Sequence, residues 1–150
     1  MDEAMTFTAR LVQRIGSTLQ HARIARLGDD EKHATLTLLY GVALADGELS
    51  PGEDEALHKV AAQLGTKLSQ DQKLADAVAV LAKKPSALKL ACLVVADAFF
   101  ADADYDKAEK EFVSSFGTRF GLPANPLQDA VESLRKKKFD EAVEEFAKSI

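Results

Sequence analysis

The sequence predicts an all-α fold of seven or eight helices, and three observations carry that expectation. Apolar residues recur every three or four positions along most of the chain, and no segment sustains a period-two alternation bounded by turns. Helix starts and stops are marked. Ser50-Pro51-Gly52-Glu53, Ser69-Gln70-Asp71-Gln72, Asp106-Lys107-Ala108-Glu109 and Asn125-Pro126-Leu127-Gln128 each read as a capping box, with Gly65 and Gly121 as terminators. The chain also repeats itself. Moved by 56 positions, Ala45 to Gly65 lies on Ala101 to Gly121 without a gap, so two pseudo-repeated helix–acidic turn–helix hairpins are expected at about 34–65 and 88–121.

Taken in order, Thr6 to Leu27 has helical spacing through Phe7, Leu11, Ile15 and Leu19, and Arg10, Arg14, Arg23 and Arg26 make this arm basic. Such an arm is either a solvated face or a surface for acid, including the chain's own acidic turns. Gly28-Asp29-Asp30 interrupts it, and Ala34 to Ala45 follows as an apolar helix. Pro51 suits the first position of the next helix, which runs to Leu64. The box at Ser69 opens a helix with Leu74, Val78 and Leu81 inward. Lys83-Lys84-Pro85 is a break before the most apolar helix, Leu88 to Ala101, expected at the centre of the core. Lys107 to Phe120, a helix to about Arg135, and Asp140 to Ser149 complete the set. Leu38, Leu39, Leu64, Val94, Val95, Phe99, Phe116 and Phe120 are the expected core.

No linker divides the 150 residues, so a single domain over 1–150 is expected, and 47% apolar residues suffice for its core. A net charge of -5 argues against a nucleic-acid partner. Cys92, the lone cysteine, lies in an apolar run and reads as a buried small hydrophobe. No secretory signal is visible, and Lys89 and Asp97 interrupt the longest apolar stretches. The expectation is a cytoplasmic chain that is not an integral membrane protein.

The acidic turns carry the functional question. Ser50, Glu53, Asp106 and Glu109 are explained by capping, and Asp54, Glu55 and Glu111 by the helix dipole. Asp46, Glu48, Asp102 and Asp104 fall instead at or past the C-terminal ends of helices, where the dipole opposes a carboxylate. A positive charge should offset them: a hard divalent cation, an arginine of the arm, or solvent alone. An EF-hand is excluded, because Lys107 and Pro51 stand where its loop requires Gly, and Val113 and Leu57 where it requires Glu. His21, His33 and His58 lack zinc-ligand spacing. Neither a phosphate loop nor a nucleophile elbow is present, so no enzymatic activity is expected. Lys136 to Lys138 suits a helix C-terminus.

At two places the sequence resembles the TerB family, a tellurite-resistance and stress-associated domain also found at the start of some membrane-anchored DnaJ-type co-chaperones. The first is Tyr40-Gly41-Val42-Ala43-Leu44-Ala45-Asp46-Gly47-Glu48-Leu49-Ser50-Pro51-Gly52-Glu53, and the second runs from Val95 to Glu109 through Ala101-Asp102-Ala103-Asp104. Together they cover about 30–122, with Ala103 where the family usually has Gly. The resemblance implies a helical metal-binding or interaction module without established catalysis, with Asp46, Glu48, Glu53, Asp102, Asp104 and Glu109 as its metal carboxylates. The expected function is binding of a divalent cation, calcium or magnesium, through the paired acidic turns, with the two turns pooling their acids at one site as one arrangement, in metal or oxyanion stress. Protein partners are expected, membrane-associated stress proteins among them. The alternative is a metal-free interaction module that docks through its acidic face.

Overall fold

Helix punctuation sets the order of elements. The computed structural model describes residues 7–20, 24, 26–46, 49–68, 73–100, 105–148 and 150, with Asp46 and 105–110 described by backbone alone. Among these residues there are eight helices and no strand: α1 (Phe7–Leu19), α2 (Asp29–Asp46), α3 (Pro51–Leu64), α4 (Leu74–Ala82), α5 (Pro85–Phe100), α6 (Tyr105–Phe120), α7 (Ala124–Lys136) and α8 (Phe139–Ala147).

Several bounds differ from the expected ones. The first helix stops at Leu19 instead of Leu27, and a turn in which Leu27 N–H donates to the Ile24 carbonyl follows it. That shortening leaves Gly28 to open α2 well ahead of Ala34. The Gly28 N–H donates to Glu31 Oε1 at 2.8 Å, and Asp29, Asp30 and Glu31 place negative charge on the dipole's positive end. Helix α3 begins and ends as expected. Gly65 adopts φ 75°, its N–H donates to Ala62 and Thr66 N–H to Ala61, the double closure in which a left-handed glycine satisfies the last carbonyls.

The expected caps at Asp106 and Asn125 are corrected. Helix α6 already includes Asp106, with Lys107 at the position where the first hairpin has Pro51. Helix α7 starts at Ala124 behind an extended Pro123 with no side-chain cap, which puts Asn125 inside the first turn. The box at Ser69 to Gln72 lies outside the described residues; α4 itself starts at Leu74 without a side-chain cap.

Helix α5 is the centre, as its composition predicts. It packs against α1, α2, α4, α6, α7 and α8, and every residue from Leu90 to Ala96 is buried. Cys92 is among them, and burial pushes its thiol up to about 12. Of the expected core, Leu38, Leu39, Val94, Val95, Phe116 and Phe120 are buried, whereas Leu64 and Phe99 are only partly so. Phe99 packs instead at the rim of an aromatic cluster with Phe7, Phe100, Phe112 and Phe116, in which Phe112 is fully enclosed.

Two helix ends coincide across the 56-residue offset. Phe120 ends α6 as Leu64 ends α3, and Gly121 is left-handed at φ 68° like Gly65. Each apolar helix packs closely on the second helix after it, α2 on α4 and α5 on α7, and only lightly on the helix across its acidic turn. The equivalence stops after the glycines, since α4 starts at Leu74 and α7 at Ala124.

Candidate functional site

The first acidic turn lies between the end of α2 and the start of α3. Asp46 is the last residue of α2; Glu48 lies outside the described residues. The chain re-enters at Ser50, held extended (φ -65°, ψ 158°) ahead of Pro51. Ser50 Oγ accepts from the Glu53 N–H at 3.1 Å, and Glu53 Oε1 accepts from the Ser50 N–H at 2.8 Å. Glu53 therefore closes a capping box with the carboxylate that the resemblance assigns to metal. Asp54 is also engaged: the buried Tyr40 hydroxyl donates to its Oδ1 at 2.9 Å, and His58 Nε2 stands 3.4 Å from its Oδ2. Glu55 meets Lys59 at 3.9 Å on an exposed face, a contact worth little in water.

A guanidinium from far along the chain completes this end of α2. Arg119 Nη2 donates to the Ala45 carbonyl at 2.5 Å, one of the C-terminal carbonyls that the helix itself cannot pair. The same guanidinium lies over the Phe120 ring at 5.0 Å. Sequence reasoning missed this residue. Its signal was only a basic residue in the last turn of α6, which the dipole alone explains.

The second turn joins Phe100 to Tyr105, and Asp102 and Asp104 lie outside the described residues. Glu109 is placed by its backbone in α6. Here the basic arm meets α5 within its last turn, ahead of the acidic turn. Arg10 Nε donates to the Ala98 carbonyl near the end of α5 at 2.8 Å, and Arg14 Nε donates to Asp97 Oδ2 at 2.5 Å. Arg14 also lies 5.3 Å from the Phe139 ring, which ties α1 to α8 as well. Arg26 is exposed, and Arg23 lies outside the described residues.

The two turns belong to opposite ends of α6. Tyr105 opens that helix next to the second turn, and Arg119, which reaches the first, lies about 21 Å along the axis at ~1.5 Å per residue. Among the described residues no group of three His, Cys, Asp or Glu side chains gathers as metal ligands. Three clefts of about 190 to 250 Å³ lie along α1, α5, α7 and α8, and residues of the acidic turns line none of these three. No helix among the described residues is long and apolar enough to cross a membrane.

Fold and site define a class: an all-helical module, among the described residues, in which arginines from other helices bond the C-terminal turns of the two apolar helices that precede the acidic segments. The chain matches the family described as Tellurite resistance protein TerB over residues 1–76, and it belongs to that family. The matched residues contain α1, α2, the first acidic turn and α3 and stop early in α4; the second hairpin lies beyond them. Comparison with curated proteins and with solved structures finds no match.

Proposed function

We propose that this chain is a non-catalytic, cation-binding module of the tellurite-resistance family, in which each acidic turn takes a hard divalent ion, calcium or magnesium, on its own. One observation carries the reading. Asp46 is the last residue of α2 and Glu48 follows two positions later in the sequence, so the chain spends two acidic residues on a helix C-terminus, where the dipole disfavours them, and the Arg119 guanidinium there is bonded to a carbonyl. The oxygen-rich turn suits calcium or magnesium, which prefer carboxylates, backbone carbonyls and water. Asp46 and Glu48 would hold the ion at the first turn, Asp102 and Asp104 at the second. Glu53 and Glu109, at the starts of α3 and α6, would support them from outside, Glu53 with the oxygen not bonded to Ser50. The separation along α6 is the reason for two sites instead of a pooled one. The cellular role would be a cytoplasmic response to metal or oxyanion stress, with protein partners, membrane-associated stress proteins included.

A second reading rests on the internal contacts themselves. The capping box, Tyr40 on Asp54 and Arg119 on Ala45 already use much of the polar surface around the first turn. A metal-free module would then present the remaining acid to a basic protein partner. Thermal unfolding with millimolar calcium or magnesium separates the two. A bound ion raises the melting temperature by mass action, and Asp46→Asn with Asp102→Asn abolishes the rise. The docking reading expects no rise beyond that of sodium chloride at equal ionic strength.

A further inference from the structure

We propose that the groove between α7 and α8, floored by the start of α5, docks an acidic protein segment that carries an apolar side chain. The groove lies beyond the residues of the family match and uses none of the acidic-turn residues, so it stands apart from the cation-binding reading. Helices α7 and α8 each pack on α5 and scarcely on each other, which leaves a gap between them. Two adjoining clefts of about 250 and 240 Å³ lie in that gap, and Lys89, Glu145 and Phe146 line both. Phe146 is only half-buried there, so the groove offers an aromatic ring. Inside it the charges are matched. Lys89 stands 3.4 Å from Asp129, Lys136 stands 3.6 Å from Glu132, and Lys137 meets Glu145. Pairs as exposed as these hold weakly in water and yield to a competing charge. On the rim the charges are not matched. Lys83 and Lys84 directly precede Pro85, and Lys138 follows Lys137, both of them lining residues. Lys148 lies three positions past Glu145, on the same face of α8. Among the described residues none of these four ammonium groups meets a carboxylate. Glu141, one turn before Glu145, is the acid that faces them from α8, whereas Asp140 and Glu144 line the separate cleft against α1. Groove and rim thus hold seven lysines against four carboxylates, on a chain whose net charge is -5. Such an island of positive potential selects acid. Its concave shape, with Phe146 inside, selects a chain that can insert a side chain, which a flat bilayer surface does not.

Fluorescence anisotropy on the full chain tests this. The probe is a labelled synthetic peptide of glutamates around one phenylalanine. Wild type is compared with a rim variant, Lys83→Gln, Lys84→Gln, Lys138→Gln and Lys148→Gln together. A charge-matched variant carries Lys32→Gln, Lys59→Gln, Lys67→Gln and Lys73→Gln, on and beside α2, α3 and α4. None of the eight lysines is buried, so both variants keep the core. The expected result is binding that the rim variant weakens by roughly tenfold, each lost charge contributing a factor of about two after screening. The charge-matched variant should stay within about twofold of wild type. Affinity should fall as sodium chloride rises from about 50 to 300 mM. Glutamine in place of the probe's glutamates should abolish binding, and alanine in place of its phenylalanine should weaken it. Equal weakening in the two variants reduces the effect to net charge and overturns the site. No anisotropy change with wild type, or undiminished binding by the rim variant, overturns it as well. So does co-sedimentation of wild type with phosphatidylserine vesicles when the peptide fails to bind, because the lysines would then serve a membrane surface.

Discussion

In the first hairpin the helix after the acidic turn starts at a proline, fixed by reciprocal hydrogen bonds between Ser50 and Glu53. In the second it starts at Tyr105, two residues ahead of the equivalent position, with Lys107 where the proline would be. The order reverses inside the core. Helix α5 is buried over most of its length and ends against Phe100, Phe112 and Phe116, while α2 keeps an acidic first turn and a half-buried Gly41 against Leu74. The first hairpin thus takes its definition from local backbone chemistry and the second from aromatic packing. Two stretches of similar sequence can share their terminal left-handed glycines while the forces that hold each one differ.

The largest expected effect lies in the second copy. Phe112 is 0% exposed within the aromatic cluster, so Phe112→Ala should cost about 3–5 kcal/mol, read from urea unfolding. Phe99→Ala, at a half-buried rim position, should cost less, about 1–3 kcal/mol by the same route. A larger loss at Phe99 than at Phe112 would break the account of the cluster.

Next comes pH. Cys92 on α5 stands at the repeat position of Leu36 on α2, and both are fully buried. Its thiol is held protonated up to about 12 in the folded chain against 9.0 for the unperturbed group. Below about pH 9 both states carry the proton. Above it the unfolded chain loses the proton first, so stability falls as pH rises towards 12, by up to about 1.4 kcal/mol per unit. Cys92→Ala should remove that part of the alkaline loss, seen by comparing urea midpoints at pH 8 and 10. An unchanged slope would show that the thiol is not the titrating group.

Capping separates the hairpins on a smaller scale. Ser50→Ala removes the acceptor of the Glu53 N–H and should cost about 1 kcal/mol. Asp106 lies within α6, so Asp106→Ala should lose only its dipole contribution, about 0.3–1 kcal/mol, and lose it as salt is added. Equal, salt-independent costs at the two positions would restore Asp106 as a true cap. The smallest effect is Lys59→Ala, which breaks only the exposed pair with Glu55 and should move stability by about 0.5 kcal/mol or less. It serves as the baseline against which the other losses are read.

The sequence by itself determined what depends on neighbours along the chain. The capping box at Ser50, the proline start of α3, the left-handed glycines at 65 and 121 and the burial of α5 all follow from residues within one or two turns of each other. It was less exact at Asp106 and Asn125, where α6 and α7 start ahead of the expected caps, at Tyr105 and Ala124, because the first turn of a helix can extend by a residue or two. Tertiary structure alone decided which arginines meet the C-terminal turns of α2 and α5. Arg119 lies 74 residues from Ala45 and Arg10 lies 88 from Ala98, and neither pairing has any local signature. Such contacts depend on the side-by-side placement of α1 with α5 and of the end of α6 with the end of α2, which packing of the apolar faces sets. The unpaired carbonyls at a helix end are predictable from the chain, but the residue that comes to satisfy them belongs to whichever helix the core brings near.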